Sequence, residues 1–159
     1  MVPKSKSAIV RGAGGGIGAA ICRRLTGDGL PVAAWDFDGQ SIKRLKSDGA
    51  AAAAFRVDVS DPDLVERACS ETVAALGPPS MLVNCASIRE VVDPLELSPE
   101  SWRRVMGVKL DGALYCTQAV ARVMASYGGG SIVNIASIAS LDAYPTGPRM
   151  WPRSTACSA

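Results

Sequence analysis

The chain has 159 residues, 48% of them hydrophobic and 20% charged, with a formal net charge of +2, which fits one globular domain and argues against disorder, collagen or a coiled coil. It contains no histidine, so serine–histidine triads, zinc proteases and histidine general bases are excluded. Its basic residues are scattered, which predicts no nucleic-acid partner; no apolar run approaches the ~18 residues of a bilayer span, and residues 1–10 hold no secretory core, which predicts no membrane partner and a cytoplasmic location.

In chain order, short β-branched runs alternate with longer helical stretches, the pattern of βαβ units that build a parallel sheet. Ala8-Ile9-Val10 is the first predicted strand, and a glycine-rich turn leads to a helix from about Gly16 to Leu25, ended by Gly27-Asp28-Gly29. The second strand, Val32–Trp35, passes through Asp36 into a short basic helix around Ile42–Lys46. Ala54–Val57 is the third, and Asp61-Pro62 then opens a helix to Leu76 with a capping residue followed by proline. Met81-Leu82-Val83 is the fourth strand, and Ser98-Pro99-Glu100 starts the longest predicted helix, reaching Tyr127 with Gly107 and Gly112 as weak points. Gly128-Gly129-Gly130 stops it, and Ser131–Ile135 is the fifth strand. From Ser140 onward no period is visible. Cys22, Cys69, Cys85, Cys116 and Cys157 lie far apart and are odd in number, which predicts reduced thiols and neither disulfides nor a metal site.

The turn RGAGGGIG places Gly12, Gly16 and Gly18 between a strand and a helix. Glycine suits that place because a pyrophosphate must approach backbone N–H groups at the positive helix end. The same letters also satisfy G-x-G-x-x-A at Gly14, Gly16 and Ala19, so the register stays open. A P-loop is excluded, since no Gly-Lys-Ser/Thr follows. Asp36 ends the second strand roughly 20 residues past the turn, where a carboxylate accepts both adenosine ribose hydroxyls and repels a 2′-phosphate. NAD is therefore the predicted cofactor, ahead of NADP, although Asp36 and its neighbour Asp38 also read as helix caps. Asp58 and Val59 end the third strand where the adenine would lie, and Asp58 also reads as a turn former before Asp61-Pro62.

Taken together, the G-x-x-x-G-I-G turn, Asp36, Asp58-Val59, Leu82-Val83-Asn84-Cys85-Ala86-Ser87 and Gly130-Ser131-Ile132-Val133-Asn134-Ile135-Ala136-Ser137 resemble the short-chain dehydrogenase/reductases over nearly the whole chain. The resemblance implies an α/β fold, a Rossmann-type doubly wound parallel sheet of order 3-2-1-4-5, and hydride transfer between a nicotinamide and a secondary alcohol or carbonyl substrate. It also implies that Gly12, Gly16, Ile17, Gly18, Asp36, Asp58, Val59, Asn84, Ala86 and Ser87 hold the cofactor, and that Ser137 hydrogen-bonds the reacting oxygen. A homo-oligomer is implied for a full-length form. The chain departs from the pattern at Arg11, where the family has threonine, at Cys85 and Ser87 in place of N and G of N-N-A-G, and at Lys109 in place of a helix asparagine.

The largest departure is the acid. An alkoxide formed by hydride transfer must be protonated, and tyrosine needs a nearby cation to do so near neutrality. The family supplies Y-x-x-x-K; here Tyr115, Tyr127 and Tyr144 are followed four places on by Ala119, Ser131 and Pro148, and Met150 stands where the resemblance places the tyrosine. The tail Arg149–Ala159, RMWPRSTACSA, becomes AYVASKHGVFG when one guanine is inserted before its codons, given a permitted choice of synonymous codons. That restores the tyrosine and lysine in register. Residues 1–148 are therefore expected to be an incomplete NAD(P)-binding domain and 149–159 an aberrant, out-of-frame tail, the chain being C-terminally truncated and catalytically impaired. The alternatives are a non-catalytic dinucleotide-binding fragment and a methyltransferase, which also carries a glycine turn and an acid after its second strand.

Overall fold

In a computed structural model, residues 6–90 and 92–137 are described. They form β1 (Ser7–Arg11), α1 (Gly16–Gly27), β2 (Val32–Asp36), α2 (Gly39–Ser47), β3 (Ala53–Arg56), α3 (Pro62–Leu76), β4 (Pro79–Asn84), a 3-10 turn (Pro94–Glu96), α4 (Pro99–Met106), a π-helical turn (Gly107–Asp111), α5 (Gly112–Ser126) and β5 (Ser131–Asn134). The strands make one parallel sheet of order β3-β2-β1-β4-β5, in agreement with the expected topology.

Strand alternation sends side chains to both faces, and each face is covered. Ile9, Ala33, Trp35 and Leu82 join Val65 and Cys69 of α3 and Cys116, Val120 and Met124 of α5 in one core. Ala8, Val10, Val32, Ala34 and Val83 join Cys22 of α1 and Ile42 and Leu45 of α2 in the other. Each fully buried Ile, Leu or Val stabilises the fold by about 1.5–3 kcal/mol. Trp35, the largest fully buried side chain, keeps its indole N–H satisfied by donating to Thr72 Oγ1 at 3.0 Å. Asp38, Asp61 and Ser98 cap α2, α3 and α4, the caps of α3 and α4 falling at the Asp-Pro and Ser-Pro steps seen in the sequence.

The single helix expected over Ser98–Tyr127 is instead three pieces, α4, the π turn and α5, divided at Gly107 and Gly112. Tertiary packing is the reason: a Cβ on Gly112 would lie 2.9 Å from both Val59 O and Val59 Cγ2, so the helix comes closer to the sheet than a side chain permits. β5 is the sheet's edge among the described residues, with Val133 44% and Ile135 39% exposed. The expected out-of-frame tail, residues 149–159, lies outside the described residues.

Cys22, Cys69, Cys85 and Cys116 are free thiols. Burial pushes the Cys22, Cys69 and Cys116 thiols from an ordinary 9.0 up to about 11. A raised folded-state value stabilises the fold fully below pH 9.0, and this contribution is lost as pH climbs toward 11. Thermal denaturation is therefore expected to show stability falling across that window by up to about 1.4 kcal/mol per pH unit per thiol. A Cys22→Ala/Cys69→Ala/Cys116→Ala variant should have a flatter profile, and identical slopes for the two proteins would refute the linkage.

Candidate functional site

At the carboxyl edge of the sheet a cleft of about 700 Å3 runs from the β1–α1 turn to the segment after β4. Gly12, Gly16, Ile17, Gly18, Asp36, Asp58, Val59, Ala86 and Ser87 all line it, so nine of the residues singled out in the sequence converge on one place.

The glycines of the turn differ in how closely the fold packs on them, and Gly14 is also confined, a Cβ there lying 2.9 Å from Ser41 Cβ. Gly12 has φ +77°, and a Cβ there would sit 2.4 Å from Ala86 N. A Cβ on Gly18 would lie 2.0 Å from Gly12 O, so these two glycines are imposed by the backbone itself. Gly16 is different: nothing in the protein lies within 4 Å of its Cβ position, yet it lines the cleft. Helix α1 also begins at Gly16 with no side chain capping its first N–H groups. An uncapped helix N-terminus beside open space suits an anion such as pyrophosphate, and the residues present fit a dinucleotide.

Asp36 and Asp38 have separate tasks. The Asp36 carboxylate accepts from Gly14 N and from Asp38 N, each at 2.9 Å, which aims it across the glycine turn into the cleft. Asp38 accepts from Gln40 N at 3.0 Å and from the Ser41 hydroxyl, and these hydrogen bonds, Ser41's first, hold its carboxyl below the usual range. Asp58 is both a lining residue and a turn former, accepting from Ser60 N at 3.0 Å and Ser60 Oγ at 2.6 Å.

Two residues fall elsewhere. Asn84 is 3% exposed and points away from the cleft, donating Nδ2 to Asn134 Oδ1 at 2.8 Å and Thr117 Oγ1 at 3.3 Å. Strand alternation decides this: the residue that ends β4 faces α5, and the chain enters the cleft only at Cys85. Ser137 is exposed on the segment leaving β5, which pairs in parallel beside β4 and so reaches the same sheet edge. Lining residues not found from the sequence are Phe37, Ser41, Ile88, Arg103, Arg104, Gly107 and Val108 among others. The last four come from α4 and the π turn, and no local motif announces them. Cys85 also lines the cleft, and burial raises its thiol pKa while Arg11 opposes the shift.

Tyr115 is half-buried against the core and Tyr127 is exposed at the end of α5; neither lines the cleft. Among the described residues no cluster of His, Cys, Asp or Glu gathers to hold a metal ion, and no helix is long and apolar enough to cross a membrane.

Comparison with known proteins finds a match to the short chain dehydrogenase family over residues 6–149. The chain is 44% identical over 148 residues to a mouse (Mus musculus) (3R)-3-hydroxyacyl-CoA dehydrogenase, covering 85% of this chain and 57% of that protein. It is 38% identical over 133 residues to a galactitol 2-dehydrogenase (L-tagatose-forming) of Cereibacter sphaeroides, covering 82% and 52%. The chain thus spans little more than half the length of these curated relatives. Among solved structures, a 3-ketoacyl-(acyl-carrier-protein) reductase from Brucella melitensis complexed with NADH superposes with a TM-score of 0.80 at 27% identity, over 85% of this chain and 58% of that one.

Proposed function

The chain belongs to the short-chain dehydrogenase family, and from that membership we propose that its cleft binds NAD(H) and serves hydride transfer between the nicotinamide and a secondary alcohol or ketone. The observation that carries this reading is the Asp36 carboxylate held against the glycine turn, in the same cleft as the uncapped start of α1. The bound nicotinamide would supply the hydride; the chain's own part is to bind and orient it. The N–H groups at the start of α1 take the pyrophosphate, Asp36 accepts the ribose hydroxyls and repels a 2′-phosphate, and Asp58 and Val59 border the adenine. Ala86 and Ser87 line the nicotinamide half, Asn84 supports them from beneath, and Ser137 donates to the reacting oxygen.

The substrate class follows the two named relatives, whose names denote oxidation of hydroxyl groups on an acyl thioester and a sugar alcohol. Family membership sets aside the methyltransferase alternative. Exposed Trp102 and Leu114 on α4 and α5 support a homo-oligomer for a longer form, and the composition supports a cytoplasmic location. We further propose that residues 149–159 are read out of frame, which leaves the chain as written without its tyrosine acid and impaired in catalysis.

Binding tests the cofactor assignment directly. NADH fluorescence titration should show saturable binding, with NADPH weaker by at least about tenfold. Asp36→Asn keeps one acceptor oxygen for the turn but removes the charge, and is expected to weaken NADH by about 10–100-fold while closing the gap to NADPH. Equal affinity for the two cofactors in the unaltered chain would overturn the NAD assignment.

A further inference from the structure

Arg11 is a buried cation at the end of the strand that precedes the glycine turn, 2% exposed. It ends β1, next to Gly12, and shares with Ile9 the sheet face covered by α3 and α5. Its Nη1 donates to Val108 O, 3.1 Å away, inside the π turn and 97 residues along the chain. The same guanidinium lies beside the Cys116 thiol, one turn along α5, and opposes the rise that burial imposes on it. The space it crosses exists only because position 112 is glycine: a Cβ there would lie 2.8 Å from Nη1.

We propose that Arg11 is a positioning residue, a strap that runs from the glycine turn to the π turn and fixes the wall of the cleft that Gly107 and Val108 form. A π turn is wider than the α-helix on either side, and its ladder is closed by Gly112 N reaching back to Gly107 O. A donor from outside the helix then determines where the Val108 carbonyl sits. Arginine suits this because its long side chain carries a fixed charge and a planar set of N–H groups across the core to the carbonyl; a lysine ammonium offers the carbonyl a donor without that fixed plane. The strap also joins the two ends of the site that the sequence keeps far apart, since Gly12 follows Arg11 directly and Val108 lines the opposite wall.

Amide hydrogen exchange on the full 159-residue chain, compared among the unaltered protein, Arg11→Lys and Arg11→Met, tests the strap. Arg11→Met is expected to speed exchange of residues 107–113 at least about tenfold while β2 and β3 keep their rates, and Arg11→Lys, which keeps a donor for the Val108 carbonyl but not the planar fork, to recover part of the protection. Kd for NADH should rise in the same order, by about tenfold for Arg11→Met. A methionine variant that unfolds while the lysine variant folds and protects residues 107–113 also supports the strap. Unchanged exchange at 107–113 in both variants, uniform loss of protection throughout the sheet, or failure of both to fold would overturn it and leave Arg11 a core-filling side chain. The affinity readout rests on the dinucleotide reading above: if the unaltered chain binds no NADH but the exchange pattern holds, that reading fails and the strap stands.

Discussion

Gly18→Ala is expected to abolish NADH binding, with affinity falling at least about 100-fold and stability by about 1–3 kcal/mol. Its new Cβ would be placed 2.0 Å from Gly12 O, 2.8 Å from Gly12 C and 2.9 Å from Ala13 Cα. All three are backbone atoms of the turn that α1 packs against, so no rotamer change relieves the clash and the helix start must shift off the cleft. Gly16→Ala is the informative partner. Its Cβ meets no protein atom within 4 Å, so the melting temperature should stay that of the unaltered chain, yet the methyl projects where Gly16 lines the cleft and NADH should bind at least about tenfold more weakly. Thermal melts and NADH titrations on both variants separate a glycine demanded by the fold from one demanded by the ligand. If Gly16→Ala binds NADH as tightly as the unaltered chain, the pyrophosphate does not lie on this turn.

Correcting the reading frame ahead of the Arg149 codon is expected to have an equally large effect. A tyrosine general acid with its lysine contributes about 10²–10⁴ in rate, and none of Tyr115, Tyr127 or Tyr144 stands four residues before a lysine. DNA sequencing across the codons of Pro148 and Arg149 should reveal one further base, and the product of the frame it opens should oxidise secondary alcohols with NAD. The 159-residue chain should be slower by that factor. Confirmation of the written frame would remove the out-of-frame proposal. Equal turnover by the two proteins would show that tyrosine is not the acid here.

Much of the fold was legible because its signals are local. The β-branched runs, the glycine punctuation and the Asp61-Pro62 and Ser98-Pro99 starts placed every described strand and most helices within a few residues. The glycine turn and Asp36 were legible for the same reason, since each has a fixed place relative to a strand end. The break in the long helix was only half legible: Gly107 and Gly112 marked the weak points, but the close approach of Gly112 to Val59 and the Arg11 hydrogen bond to the Val108 carbonyl join residues remote in the chain. That Asp38 and not Asp36 caps α2 was not legible, since both read as helix caps until the backbone N–H of Gly14 takes the Asp36 carboxylate.

Hydrophobic period and glycine spacing act over a few residues, so the strands, most helices and the glycine turn could be read from the chain; the family and the strand order followed from the resemblance of its ordered motifs, and nine of the ten residues it implied for the cofactor line the cleft. Tertiary structure alone decided which glycines the backbone demands, that Asn84 faces α5 instead of the cleft, and that a buried arginine spans from β1 to the π turn. Those outcomes depend on distances between residues remote in the chain, and close packing fixes such distances only once both faces of the sheet are covered.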